Sequence, residues 1–452
     1  MQMEKNAASP ARIRLAALFD EGSYKEIGSC VMEKDAPAGV VTAFGYVNGN
    51  PVYAFAQDQS VNNGAVGPAH AEKISKVYTL AAKTGAPVVG IWDSNGAFLD
   101  GGSAVSLNAY SLLMKRTSAL SGVVPQIAVI AGVCAGSAAM AACAADFVVM
   151  TKDAELFLTP GFADGAGSTE ACAKNGIAAL TAEDDADAFA KVRALVNVLP
   201  VNNMAFAPCM EFEAPAAAAG SDLASYVDSL ADGGSVTELY ADYAGAAYTA
   251  LATVCGSTVG IAATNKTDAK LTEADCAKIA RFVRLCDAFS IPVITLVDTL
   301  GFDGTADTEL TGAVRALTRL AGTYAEATTA KISVVTGKAV GPVFVALAGK
   351  GCNADFAYAL ENAYIAPLMP ESAVEFLWHD KLKGCDDLAA KRKELAKEYT
   401  ENQASALAAA QLGVLDEIIT PADLRSVLSG ALSMLEGKRV TNLPRKHNNL
   451  PF

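Results

Sequence analysis

The tightest constraint on this chain is that it repeats itself. Gly341 lies 205 positions after Gly136, and Lys278-Ile279-Ala280-Arg281-Phe282 lies 205 after Lys73-Ile74-Ser75-Lys76-Val77. Val297-Asp298-Thr299-Leu300-Gly301 follows Trp92-Asp93-Ser94-Asn95-Gly96 at the same offset. Separated matches at one offset mark a duplicated unit. Farther out the register drifts, as insertions would make it: Phe19-Asp20-Glu21-Gly22-Ser23 pairs with Asp232-Gly233-Gly234-Ser235, and Asp146-Phe147 with Asp355-Phe356. The spacing predicts two copies of one domain, 1–213 and 214–452, each of ordinary domain size. Phe212–Gly220, FEAPAAAAG, reads as the linker, since it mixes Pro, Ala and Gly without a period.

Each copy centres on an apolar run that passes through glycine into a small-residue or apolar helix. In the first copy Ile127–Phe147 is expected to turn at Gly132 and reach Ala135-Gly136-Ser137; in the second Lys331–Phe356 reaches Gly341-Pro342-Val343. Strand, tight turn and helix start together leave backbone N–H groups without intrahelical partners, aimed at whatever binds there. Upstream, Val40–Tyr46 and Val52–Gln57 flank Asn48-Gly49-Asn50-Pro51, a hairpin signal. Helices are predicted over His70–Lys83 and Ala104–Leu120, with strand Pro87–Trp92 between them. The second copy repeats the order with strands Ala247–Val254 and Thr258–Ala263, helix Glu273–Ala288, strand Val293–Val297 and helix Leu310–Ala325. Alternation of this kind predicts an α/β layered fold. Asp93 and Asp298 each follow a strand and are expected to cap the adjacent turn.

Composition narrows the function. A net charge of −14 over 452 residues supplies no basic field, so no nucleic-acid partner is expected. Ten cysteines occur without a C-x-x-C pair, and three histidines (His70, His379, His447) lie far apart. These predict reduced thiols in a cytoplasmic protein and no metal site. MQMEKNAASPARIR has no apolar signal core, and the Ala-rich windows read as buried helices rather than membrane spans.

Specific motifs then carry a resemblance over almost the whole chain. Gln57-Asp58 with Gly64–Gly67 and His70, Gly122-Val123-Val124-Pro125-Gln126-Ile127, and Cys134-Ala135-Gly136 mark the first half. Arg281-Phe282-Val283-Arg284-Leu285-Cys286-Asp287-Ala288-Phe289, Tyr324-Ala325-Glu326-Ala327-Thr328 and Arg445-Lys446-His447-Asn448-Asn449 mark the second. The chain resembles the carboxyltransferase subunits of biotin-dependent acyl-CoA carboxylases and decarboxylases, of the propionyl-CoA carboxylase beta and methylmalonyl-CoA decarboxylase alpha type. That resemblance implies two tandem crotonase-like domains of the ClpP/crotonase, ββα-superhelix kind. It implies carboxyl transfer between biotin on a separate carrier protein and the α-carbon of a coenzyme A thioester. Its partners would be a biotin carboxyl carrier protein or domain and biotin carboxylase or membrane decarboxylase subunits. A homo-oligomer follows too, a dimer with shared sites or a hexamer.

The resemblance also implies a site made of backbone amides, which stabilise transient oxyanions by roughly 3 kcal/mol each in a dry pocket. Gly136, Ser137, Gly96 and Ala97 would serve the acyl-CoA, and Gly341, Val343, Gly301 and Phe302 the biotin. Ala135, Ala138, Pro342 and Val345 would line the substrates. The chain departs from the family pattern in places. Pro342, which has no N–H, stands where the family has Gly; Phe98 replaces an Arg; Val345 stands where many carboxylases carry Asp; and Phe162–Ser168 is a short loop. Two further readings stay open at this point: a non-catalytic scaffold paralogue, and a crotonase-type acyl-CoA enzyme without biotin that would use Asp93, Asp100 or Asp298.

Overall fold

In a computed structural model of the chain, the described residues are 9–159, 165–215, 217 and 220–450. Part of the loop at Phe162–Ser168, three residues of the Phe212–Gly220 linker and the last two residues of the chain lie outside them. The chain forms two compact units: Met1–Pro208 with Tyr240–Tyr243, and Cys209–Leu239 with Ala244–Phe452.

In the first unit, Asn48 (φ 50°) and Gly49 (φ 77°) close a hairpin between Val40–Val47 and Asn50–Gln57, the positive-φ turn that suits strand twist. The sheet runs in the order of strands beginning at Lys25, Val40, Asn50, Val88, Gln126, Phe147 and Leu180, and Glu155–Phe157 pairs with the far end of Gln126–Ala135. The hairpin side is antiparallel and the rest parallel. Helix Pro68–Thr84 starts on Pro, where a missing N–H is no loss, and ends on Gly85 at φ 68°, whose N–H returns to Ala81. It buries Ile74, Val77, Tyr78 and Ala81 in the same core as Trp92, Leu113 of helix Ser103–Leu120, and Ala138.

The second unit repeats this topology strand for strand, from Thr237–Glu238 through Glu417–Ile419, with Tyr364–Ala366 pairing with Lys331–Val340. Helix Glu273–Ala288 begins in a capping box between Thr272 and Asp275. Each unit is also clasped at its hairpin. Asp20 accepts from the N–H groups of Asn48 (3.0 Å) and Gly49 (2.9 Å) and from Arg193 (2.7 Å) on helix Asp185–Val198. Asp232 accepts from Cys255 N (3.0 Å), Gly256 N (2.8 Å), Thr253 Oγ1 (2.7 Å) and Arg425 (2.6 Å) on the last helix, Leu424–Leu435.

Two expectations are corrected. The central strand does not turn at Gly132: it runs unbroken from Gln126 to Ala135, as its counterpart runs from Lys331 to Val340. The single helix expected at Leu310–Ala325 is two, Ala306–Thr311 and Ala313–Glu326, because Gly312 at φ 106° interrupts it. A four-residue excursion, Tyr240–Tyr243, leaves the second unit and packs with the first. Tyr240 N–H donates to Ala179 O (2.9 Å), and the Tyr243 ring fills the space beside Gly176, where a Cβ would sit 2.7 Å from it.

Candidate active site

The parallel pairing of the two central strands breaks at the same place in each half. In the first, Trp92 pairs with Ile130 but Ser94 with Cys134, so Asp93 alone faces Ala131, Gly132 and Val133. In the second, Val297 pairs with Val335 but Thr299 with Ala339, so Asp298 faces Thr336, Gly337 and Lys338. This is a bulge with two extra residues on the central strand. Beyond it the two strands leave the sheet side by side, one into a loop and the other into a short helix.

The loop is pinned on both flanks. Ser94 Oγ accepts from Gly96 N–H (3.2 Å), Val66 N–H donates to Gly96 O (2.9 Å), and Phe98 N–H donates to Val66 O (3.0 Å). Thr299, Leu271, Gly301 and Asp303 repeat the arrangement at 3.1, 3.1 and 2.8 Å. The flanking residues bond one side, so the middle residue, Ala97 or Phe302, turns its own N–H the other way. Among the described residues neither N–H meets an acceptor.

The helix start is equally fixed. Gly136 (φ 62°, ψ −128°) and Gly341 (φ 67°, ψ −143°) sit in a backbone region that only glycine occupies without strain. Their N–H groups are taken: Gly136 donates to Phe157 O (2.8 Å) and Gly341 to Ala366 O (3.0 Å). A donor role at Gly136, Gly341, Gly96 or Gly301 therefore does not stand, since each of these amides already has an acceptor. The amides without one, among the described residues, are Ser137 and Ala138 in the first half and Val343 in the second. Pro342 occupies the first helical position opposite Ser137 and brings no N–H. Ala135 and Ala138 pack at the helix start of the first half, Ala138 fully buried; Pro342 and Val345 are exposed on helix Pro342–Leu347 of the second.

Neither strand-end carboxylate is aimed at a substrate. Asp93 Oδ2 accepts from Arg14 (2.6 Å) and Oδ1 from Gln59 (2.9 Å), and its N–H donates to Gln57 Oε1 (3.0 Å). Asp298 accepts from Lys338 N–H (2.8 Å) and from Asn265 Nδ2 (2.8 Å). They fill the bulges rather than cap their own turns, and they lend no support to a general base at Asp93 or Asp298. Gln57 also touches buried His70 (Nε2 to Nε2, 3.4 Å); burial, reinforced by Lys73, pushes that imidazole down to about 3, so it stays neutral. Gln57 lies in a motif read from sequence, but Arg14, Gln59 and Asn265 were missed. The one available signal was Gly337, which lies 205 positions after Gly132.

Two sheets of this topology, each ending in a pinned loop and a glycine-led helix whose first amides lack an acceptor, define a protein of two crotonase-like units. Residues 4–450 match the carboxyl transferase domain family. The chain is 34% identical to the propionyl-CoA carboxylase beta chain of Cereibacter sphaeroides, over 99% of this chain and 94% of that one. It is 35% identical to the methylmalonyl-CoA decarboxylase subunit alpha of Propionigenium modestum, over 100% and 95%. The fold is similar to the transcarboxylase 12S structure with methylmalonyl-coenzyme A and methylmalonic acid bound, at a TM-score of 0.93 and 33% identity, covering 98% and 92% of the two chains. The chain belongs to the carboxyl transferase domain family and is an enzyme component of that kind. Among the described residues no helix is long and apolar enough to cross a membrane.

Proposed function

We propose that this chain is the carboxyltransferase component that moves a carboxyl group between biotin on a carrier protein and the α-carbon of an acyl-CoA. The carrying observation is the set of amides without an acceptor at the same places in each half: Ala97 with Ser137 and Ala138 in one, Phe302 with Val343 in the other. Removing the α-proton of a thioester places negative charge on its oxygen. In this reading the Ala97 and Ser137 N–H groups receive that charge, each lowering the barrier by roughly 3 kcal/mol. Phe302 and Val343 do the same for the ureido oxygen of biotin, which supplies the carboxyl carrier and the proton acceptor. No side-chain base is needed, which agrees with His70 being buried and neutral.

The partners are a biotin carboxyl carrier protein and either biotin carboxylase or membrane decarboxylase subunits. The chain works as a homo-oligomer in which one subunit's first half meets another's second half. Support comes from the relatives, which carry carboxylase, decarboxylase and carboxyltransferase names, and from the similar 12S structure, described as a hexamer assembly.

The test is to incubate the purified protein with free biotin and malonyl-, methylmalonyl- or glutaconyl-type CoA esters and follow decarboxylation. Biotin-dependent turnover is the expected result. Turnover without biotin would assign a biotin-independent acyl-CoA enzyme. CoA-ester binding with no turnover across the panel would assign a scaffold, the outcome that Pro342 motivates.

A further inference from the structure

We infer that Asp93 and Asp298 are positioning residues, each setting the oxyanion donors of its own half by filling the bulge between the two strands that carry them. Each bulge leaves three residues of the central strand opposite one carboxylate. In the second half the carboxylate takes over the lost ladder bond directly, through Lys338 N–H at 2.8 Å. In the first half Arg14 spans the gap, one nitrogen on Asp93 at 2.6 Å and another on Ala131 O at 2.7 Å. The fit requires a bare Cα beneath it: a Cβ on Gly132 would lie 2.2 Å from Asp93 Oδ1, and one on Gly337 2.3 Å from Asp298 Oδ1.

What the carboxylate fixes is the relative setting of two strand ends. Ser94 and Thr299 follow the carboxylates directly and tether Gly96 and Gly301, next to the donors Ala97 and Phe302. Gly136 and Gly341, which launch the helix donors, follow Gly132 and Gly337 on the same strands. An error in the bulge therefore moves one donor relative to the other. A displacement of about 1 Å at such a site can lower turnover about a hundredfold.

The two carboxylates differ in what holds them, and this gives a test that a general loss of stability would not mimic. Asp298 is held by neutral donors, one of them an amide that can rotate to accept. Asp298→Asn therefore recovers most of what Asp298→Ala loses, whereas Asp93→Asn takes from Arg14 the more buried of its two carboxylates, leaving only the more exposed Asp185 at 2.8 Å, and behaves like Asp93→Ala. The kinetic arm rests on the proposed carboxyl transfer: kcat with free biotin and a CoA ester falls about tenfold or more in D298A, D93A and D93N, with CoA-ester Kd within about threefold, and D298N returns to within about threefold of the wild type. A second arm does not need turnover. Amide hydrogen exchange speeds up in peptides holding Ala97 and Ser137 (Asp93 variants) or Phe302 and Val343 (Asp298 variants), with helices Pro68–Thr84 and Glu273–Ala288 unchanged. Wild-type kcat in D93A and D298A overturns the inference, and so does exchange that rises throughout the unit alike. A wild type inactive with biotin sinks the functional reading alone; the exchange pattern then decides this one. If D93A does not fold, D93N and the Asp298 pair carry the test.

Discussion

Pro342 and Ser137 occupy the same step of the repeat, and of the two only Ser137 carries a backbone N–H. Pro fits the first helical position, so the helix Pro342–Leu347 loses nothing, but the half assigned to biotin has one outward amide fewer. Pro342→Ala restores that N–H without loosening the helix start. It is expected to raise biotin-dependent kcat with Tm unchanged; an unchanged or lower kcat would remove the donor argument. Gly132 gives a prediction of opposite sign. A methyl there meets the Asp93 carboxylate, and Gly132→Ala is expected to destabilise the first unit by about 1–3 kcal/mol, read as the midpoint of its urea transition. At this scale the sequence named four amides that the fold leaves without an acceptor, those of Ala97, Ser137, Phe302 and Val343, beside four glycine amides that have one. Glycine spacing reveals where the backbone bends, but Gly96 spends its amide on Ser94, two residues back, and Gly136 on Phe157 O, a partner that only the folded sheet brings near.

Among the elements, the strands and helices that pack on a repeated pattern were legible, because periodicity and caps such as Gly85 are local. The uninterrupted strand through Gly132 was not. Its continuation depends on a carboxylate from the next strand, thirty-nine positions earlier in the chain. The hairpin clasps were legible only as matching turns. They also differ in strength. The Asp232 side chain is 2% exposed and the Asp20 side chain 30%. At Asp232 burial would raise the carboxyl, but hydrogen bonds from Arg425, Thr253, Gly256 and Cys255 outweigh it and hold it low. Asp232→Ala is expected to destabilise its unit by about 3 kcal/mol, and Asp20→Ala by about 1 kcal/mol or less, in the same denaturation experiment. Helix Pro68–Thr84 brings a pH dependence. His70 is shifted from 6.5 to about 3, so the folded state binds fewer protons than the unfolded one in that window. Its contribution is full above pH 6.5 and is lost as pH falls toward 3. His70→Gln should therefore lose less stability than the wild type between pH 7 and pH 4.5, measured as the change in unfolding midpoint.

For the whole molecule, the duplication was the most legible property of all, since an offset of 205 survives any uncertainty about single elements. It also sets the decisive test of the proposed shared site. Ser137→Pro removes one of the two helix donors from the first half, and Val343→Pro removes the remaining one from the second; each variant alone is expected to lose much of the wild-type rate. Mixed under conditions that let subunits exchange, they are expected to regain part of the wild-type rate, because some sites then draw one intact half from each chain. No recovery from well-exchanged, folded variants would place the whole site within one chain.

The excursion at Tyr240–Tyr243 bears on how the polypeptide is made. Its contacts at Ala179 and Gly176 belong to the first unit, yet they are encoded some thirty residues after that unit's main segment ends at Pro208. On the ribosome the leading half emerges with a gap beside Gly176 that stays open until the opening stretch of its sibling has cleared the exit tunnel. The nascent chain is thus obliged to begin its second half before it can finish its first.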